Sequence, residues 1–192
     1  MLTRGTPHAP RAGGFTLIEV LIAIAILAFG LLGLAGLQSK MQLAEMEAYQ
    51  RTQAILLVTD MVERLSANRP DAASYATATA LGTGDAQPAS CTAIAFGVDR
   101  DKCEWSNALK GAAEQSDDTN VGAMLNARGC VTEIQALNAT PGACAAGIYQ
   151  VTVTWQGLNE TAAPAFTCPG DVAENTLRSV TSYVAVGTPG CA

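Results

Sequence analysis

The feature that most constrains this fold is a long apolar run near the N-terminus. No charged residue occurs from Val20 to Leu37, and the apolar character already begins at Phe15. A helix of about 20 apolar residues is long enough to cross the hydrocarbon core of a bilayer. The run therefore predicts a transmembrane half of an N-terminal helix over residues 15–37.

Residues 1–14 precede this run and have the character of a leader. They contain two arginines, one histidine and no acid, so the positive-inside rule predicts that they stay in the cytoplasm while the bulk of the chain crosses outward. A secretory signal peptide is cut after its apolar core. Here the small pair Gly13-Gly14 stands before the core, and cleavage after Gly14 would leave the helix on the mature protein.

Glu19 places a carboxylate inside the predicted span. Such charges are costly in a membrane and usually have a partner. In one interpretation Glu19 lies close enough to the helix end to reach the interface. In the other, cleavage makes Phe15 a new N-terminal amine one turn away. Glu19 would then receive the amine of an axially shifted neighbouring copy and fix the register between packed helices.

The stretch GGFTLIEVLIAIAILAFGLLGLAGLQ, which begins at Gly13, resembles the class III signal of type IV pilins and type II secretion pseudopilins. The resemblance implies that a prepilin peptidase cuts between Gly14 and Phe15 and that Phe15 becomes N-methylated. It also implies that Glu19 is the glutamate required for assembly. The implied fold class is an α+β lollipop, with a long N-terminal helix packed on a small antiparallel head with disulfides.

Beyond the apolar run the helix is expected to continue as an amphipathic half over residues 38–69. Mostly apolar residues recur at spacings of three and four and form one face: Leu43, Met46, Gln50, Ala54, Leu57, Met61 and Leu65. Pro70 ends the pattern, because the residue before a proline disfavours helical geometry. The sequence thus predicts one helix from Phe15 to about Ala67, whose second half covers a sheet.

Residues 70–192 are predicted to form a globular head outside the inner membrane. Alternation with a period of two predicts strands over 149–156 and 180–186, and 129–136 is a third candidate. We expect one apolar face on this sheet, and the side chains that alternate with it are polar. A short helix is expected over 101–113 with Trp105 as a core anchor, a short strand or helical turn over 94–98, and mainly loop over 71–88.

The chain has six cysteines, all in its second half: Cys91, Cys103, Cys130, Cys144, Cys168 and Cys191. An even number at wide spacings beyond a membrane span predicts disulfides in an oxidising compartment. The pair Cys91–Cys103 is the most plausible local bond. For the others we favour Cys130–Cys144 with Cys168–Cys191. The rival, which a simple three-strand meander would require, is Cys130–Cys168 with Cys144–Cys191.

Composition argues against an enzyme, a metal site and a nucleic-acid partner. The net charge is -6, so a broad phosphate-neutralising surface is not expected. The only histidine is His8 in the leader, which leaves the mature chain without Ser-His or Cys-His pairs. The acid pairs Asp99/Asp101 and Asp117/Asp118 are interpreted as solvated loops, with a calcium site as the minor alternative. We expect no cofactor and no metal.

The head adds to the resemblance through the stretches 126–130, 149–157 and 103–105, and through a late pairing of Cys168 with another cysteine. These look like the PilV type of minor pilin. The implied partners are other minor pilins, the major pilin, the prepilin peptidase and, before assembly, the inner membrane. The implied roles are pilus biogenesis, twitching motility and adhesion at the cell surface. A minor pseudopilin of type II secretion is the alternative, because its stalk uses the same devices.

Overall fold

The structure is a computed structural model that describes residues 13–112, 115–116, 119–120, 122, 124–140 and 142–187. The chain divides into two compact units, Met1–Ala44 and Glu45–Ala192. A long N-terminal helix, a four-stranded antiparallel sheet and disulfides are all present. The predicted α+β fold class is confirmed.

The first helix, α1, extends from Leu17 to Ala67. Its first backbone hydrogen bonds run to the carbonyl of Thr16, which accepts from the Glu19 amide at 3.1 Å and from the Val20 amide at 3.3 Å. At the other end, Asn68 leaves helical geometry with φ -111° and ψ 54° directly before Arg69 and Pro70. The predicted end at about Ala67 is confirmed, and the helix begins two residues after the expected Phe15.

Within the second unit, α1 buries one face against the sheet, formed by Gln50, Ala54, Val58, Met61 and Leu65. The predicted face is correct at four of these five positions. Val58, 3% exposed, takes the place assigned to Leu57, which is only partly buried. The expectation for Met46 and Leu43 is wrong, because these side chains are 54% and 43% exposed. The residue spacing thus identified the buried face of α1, whereas the length of that face depends on where the rest of the head begins to pack against the helix.

The remaining elements follow in chain order. They are a 3-10 helix over Arg69–Tyr75, β1 (Leu81–Gly82), α2 (Val98–Leu109), β2 (Gln115–Ser116), β3 (Thr119–Asn120), β4 (Arg128–Gln135), β5 (Gly147–Gln156), a 3-10 turn over Glu174–Thr176, and β6 (Leu177–Val186). The sheet order is β1-β4-β5-β6, all antiparallel, while β2 and β3 form a separate hairpin. The three predicted strands are confirmed as β4, β5 and β6.

The segment before the sheet differs from expectation in detail. The helix α2 begins at Val98 and ends at Leu109, so the predicted bounds of 101–113 were displaced by three to four residues. Residues 94–98 contain no strand, and Val98 is the first residue of α2, while the stretch 71–88 is mainly loop, as expected, with the end of a 3-10 helix and β1 within it. The local sequence patterns of this segment are weak, so the bounds of α2 depend on its packing partners rather than on its own sequence.

Trp105 is the core anchor that the sequence predicted. Its side chain is 0% exposed, and its indole N–H donates to the carbonyl of Leu57 on α1 at 2.8 Å. The ring lies directly over Gly129 of β4. A Cβ placed on Gly129 would lie 2.2 Å from the Cη2 atom of Trp105, so only glycine lets the indole approach this strand.

The central strand β5 is buried on both faces, which the sequence did not predict. Its polar side chains Gln150, Thr152 and Thr154 are 8%, 3% and 2% exposed. Cys168 lies against this strand, with its Sγ 3.2 Å from the Thr152 carbonyl oxygen. Thr152 also shares a hydroxyl hydrogen bond of 3.0 Å with Thr181. The polar face is therefore a second buried layer.

Two disulfides are described, Cys91–Cys103 and Cys130–Cys168. The first was predicted and is confirmed. Both favoured bonds, Cys130–Cys144 and Cys168–Cys191, are wrong, because Cys130 bonds to Cys168, as the rival pairing predicted. Because Cys130 pairs opposite Thr152 in the meander, it meets Cys168, which lies against Thr152. Cys144 is also disulfide-bonded, and Cys191 lies outside the described residues.

Candidate assembly site

The proposed cleavage position lies in an open segment directly before α1. Residues Gly13 to Thr16 are outside regular secondary structure and exposed, and Phe15 is 84% exposed. A Cβ added at Gly13 or Gly14 would meet nothing within 4 Å. A peptidase needs an accessible, non-helical backbone, and the Gly14–Phe15 bond is presented in that form.

Glu19 occupies the third position of α1, one turn after the cap residue Thr16. Its amide lies 3.4 Å from the Thr16 hydroxyl, at the long end of the hydrogen-bond range. Threonine followed three residues later by glutamate is the sequence of a capping box. A carboxylate in the first turn also faces the positive end of the helix dipole. The sequence interpretation of Glu19 missed this local role, although the Thr-x-x-Glu spacing is its signal.

The apolar part of α1, which begins at Leu17, exposes apolar side chains on every side. Exposed fractions run from 48% at Val20 to 79% at Leu17, and the most hydrophobic window has a mean hydropathy of 2.7 with no buried residue. Among the described residues this is one helix long and apolar enough to cross a membrane. Such a surface is stable only in lipid or against other apolar helices, so no single packing face is distinguished.

A cluster of ion pairs connects α2 to the C-terminal half of α1. Arg64 donates to Asp101 at 2.8 Å and to Glu104 at 2.9 Å, and it also pairs with Asp60. Burial opposes the charge of Arg64, but the hydrogen bonds to these carboxylates outweigh it and raise its pKa. Hydrogen bonds from Arg100 and Arg64 hold the pKa of Glu104 below its usual range.

Tyr75 completes this cluster from the preceding 3-10 helix. Its hydroxyl donates to Asp101, and burial together with that hydrogen bond raises the pKa of Tyr75 to about 12. The interpretation of Asp101 as part of a solvated loop is therefore wrong, since it lies in α2 and joins two other elements. Asp99 also lies in α2 rather than in a loop, although its side chain is exposed. Asp117 and Asp118 lie outside the described residues.

The predicted residues thus divide between the two units. Gly14, Phe15 and Glu19 lie together within the first unit, at the start of α1. The described cysteines lie in the second unit, where they connect the sheet, α2 and their flanking segments. The cleavage, methylation and assembly roles of the first three residues stay predictions.

Comparison with known proteins gives one match. Residues 10–35 match the model of the prokaryotic N-terminal methylation motif. Neither a characterised protein nor a solved structure matches the chain. The motif is the class III signal of type IV pilin-like proteins, which confirms that part of the resemblance and supports a pilin-like or pseudopilin-like protein. Together with the apolar helix it is consistent with membrane anchoring.

Proposed function

We propose that the chain is a minor pilin of a type IV pilus, similar to the PilV type. It assembles through its N-terminal helix into the fibre or its initiation complex and supports pilus biogenesis, twitching motility and adhesion. The observation that carries the proposal is the methylation motif over residues 10–35, placed at the start of a helix whose first half is apolar on every side. No catalytic activity is proposed.

Processing begins at the open segment before α1. A prepilin peptidase cuts between Gly14 and Phe15, and the new Phe15 amine is methylated. N-methylation leaves the amine basic, so the mature chain starts with a positive charge four residues before Glu19. Burial of that amine and of the Glu19 carboxylate in a helix bundle is costly unless each finds an opposite charge.

Assembly supplies those opposite charges between copies. When a subunit leaves lipid, its exposed apolar side chains pack against helices of neighbouring subunits. An axial shift brings the Phe15 amine of one subunit to the Glu19 carboxylate of the next. Because such head-to-tail contacts are heterologous and do not close into a ring, they generate a helical filament. Its partners are other minor pilins and the major pilin.

In this proposal the chain has four functional parts. Residues 1–14 are the removed leader, 15–37 the membrane and assembly helix, 38–69 its amphipathic continuation, and 70–192 the head. The head lies in the periplasm before assembly and at the cell surface within the fibre afterwards. Disulfides in the head support export to an oxidising compartment.

Intact-mass measurement of the protein from its native cells tests the processing step. The expected mass is that of a chain starting at Phe15 plus one methyl group. A chain that retains Met1, or that is cut after the apolar run, would contradict the proposal.

Deletion and fractionation separate the pilus from the secretion alternative. Presence in sheared fibres, together with loss of twitching on deletion, is the expected result. Normal twitching with a loss of exoprotein secretion would instead assign the chain to a type II secretion pseudopilus.

A further inference from the structure

The two edges of the four-stranded sheet differ in how they are protected. On the β4 side, β1 pairs with the start of the strand, and the Thr77 amide donates to the Val131 carbonyl at 3.0 Å. The remaining part carries the exposed Glu133, and its register with β5 shifts between Glu133 and Gln135. Short partner strands, charges and irregularities are the features by which proteins block further strand pairing.

Beyond Arg178 near its start, the opposite edge, β6, has none of these features. It pairs with β5 without interruption over ten residues, from Gln156↔Leu177 to Gly147↔Val186. From Ser179 to Val186 the sequence SVTSYVAV contains no charge and no proline. The strand is regular and long, and it is the outermost strand of its sheet. A regular, uncharged edge of this kind is a template for another strand.

The register identifies which backbone groups of β6 point outward. Both backbone groups of Val131 bond to Thr77, so they point away from β5. Val131 pairs with Val151, and Val151 pairs with Ser182. Because bonded and non-bonded positions alternate in antiparallel sheets, Val151 bonds to Ser182, and the even-numbered residues of β6 face β5.

The odd-numbered residues of β6 therefore direct their N–H and C=O groups to the open side. The first outward carbonyl, that of Leu177, accepts from the Arg178 guanidinium at 3.2 Å. The outward groups of four further residues have no hydrogen-bond partner among the residues that the structure describes: Ser179, Thr181, Tyr183 and Ala185. Four backbone N–H donors and four backbone C=O acceptors are thus available along β6, at the two-residue spacing that an extended chain matches.

An aromatic pair flanks this edge on the sheet face that lies away from α1. The rings of Phe166 and Tyr183 meet edge to face at 6.4 Å, yet their side chains remain 46% and 54% exposed. A strand added beside β6 would place a side chain next to Tyr183 on this face. Cross-strand contacts of aromatic with apolar or β-branched side chains stabilise such pairs.

We propose that the β6 edge binds an extended, uncharged segment of another protein as a fifth strand of the sheet. Only an extended backbone matches four donors and four acceptors in alternation. A charged side chain opposite Ser179–Val186 would lose water without gaining a counter-charge, so the partner segment is neutral and places an apolar side chain beside Tyr183. This surface is additional to the helical assembly site.

Residue-resolved hydrogen exchange tests the proposal in the full chain. In purified protein in detergent, the amides of Ser179, Thr181, Tyr183 and Ala185 exchange fast, and those of the even-numbered residues exchange slowly. In assemblies isolated from membranes with a mild detergent, the four outward amides become protected by at least about tenfold. Outward amides that are slow in the purified protein, or equally fast in both samples, would overturn the proposal.

A proline variant tests the edge without disturbing β5. Ala185→Pro removes one outward N–H, and proline is tolerated where that group faces away from the sheet. Ala185→Ser is the matched control. A photo-crosslinking residue in place of Tyr183 should yield one heterologous product, which maps to a neutral extended segment and disappears only with the proline. Persistence of that product in the proline variant would count against strand pairing.

Two further readouts complete the test. The thermal midpoint of the proline variant, compared with the serine control, verifies that the head is folded. A crosslink to position 183 of a second copy would replace the proposed partner by self-association. A chain that keeps its leader would refute the proposed pilin function, while the exchange pattern of β6 would still report on the edge.

Discussion

Glu19→Gln is the substitution that most directly separates a register role from a local one. Glutamine preserves the size of the side chain and the capping pattern that begins at Thr16, because a capping box accepts either glutamate or glutamine at its last position. The cap bond is already long, at 3.4 Å, so the change leaves the start of α1 almost unaltered. Only the negative charge is removed, and with it the favourable interaction with the helix dipole, worth about 0.3–1 kcal/mol.

The effect on membrane entry and the effect on assembly have opposite signs. A charge within a span costs about 2.5–3.5 kcal/mol at the helix centre and less near the end, so the Glu19→Gln chain enters the membrane at least as well as the parent. Removal of one partner from a buried ion pair costs about 3–5 kcal/mol. At about 1.4 kcal/mol per factor of ten, incorporation should fall by at least about 100-fold.

Quantitative immunoblotting of membrane and sheared-fibre fractions measures both effects. The expected result is an unchanged membrane amount, cleavage after Gly14 and strong depletion from fibres, with Glu19→Leu showing an equal or larger defect. Thr16→Ala is the matched control, because it weakens the cap but keeps the charge, and it should assemble. Normal incorporation of Glu19→Gln would refute the register role and leave the capping role as the explanation of this carboxylate.

Three further predictions concern the head. Gly129→Ala displaces the Trp105 ring and leaves its indole N–H without its hydrogen-bond acceptor, so the free energy of unfolding should fall by about 2–5 kcal/mol, measured from denaturant midpoints. An unchanged midpoint would contradict the 2.2 Å approach. Removing the Cys130–Cys168 bond by serine substitution should cost about 4 kcal/mol in the chain-entropy model for a separation of 38, more than removing the shorter bond, and thiol titration of the denatured parent should find no free thiol. The folded pKa of Glu104 is depressed, so its ionised carboxylate stabilises the fold above its unfolded pKa near 4.5, and this stabilisation is lost as pH falls through the lower folded value. Glu104→Gln should therefore flatten the acid limb of the curve of stability against pH. An unchanged acid limb would contradict the depressed pKa.

Sequence alone determined the features that depend on local composition and period. An uncharged apolar run of sufficient length predicts a membrane helix from local composition alone, and Pro70 predicted the end of α1, which comes at Ala67, just before Asn68 leaves helical geometry. Alternation with a period of two predicted β5 and β6, and β4 was the third candidate strand. The methylation motif could also be identified from the sequence, because the Gly-Phe junction, Glu19 and the apolar run lie within one short stretch.

Tertiary structure decided the features that depend on what lies opposite a residue. Thr152 and Thr154 have the polarity of a solvated face, yet both are buried. Cys168, whose Sγ lies 3.2 Å from the Thr152 carbonyl oxygen, belongs to a segment that no local pattern places on this strand. Cys130 bonds to Cys168 because strand pairing brings the two residues together. The spacing of the cysteines in the sequence is compatible with many other disulfide pairings. The openness of β6 is likewise a property of sheet order, since hydrogen-bond partners distant in sequence determine which strand is left at the edge.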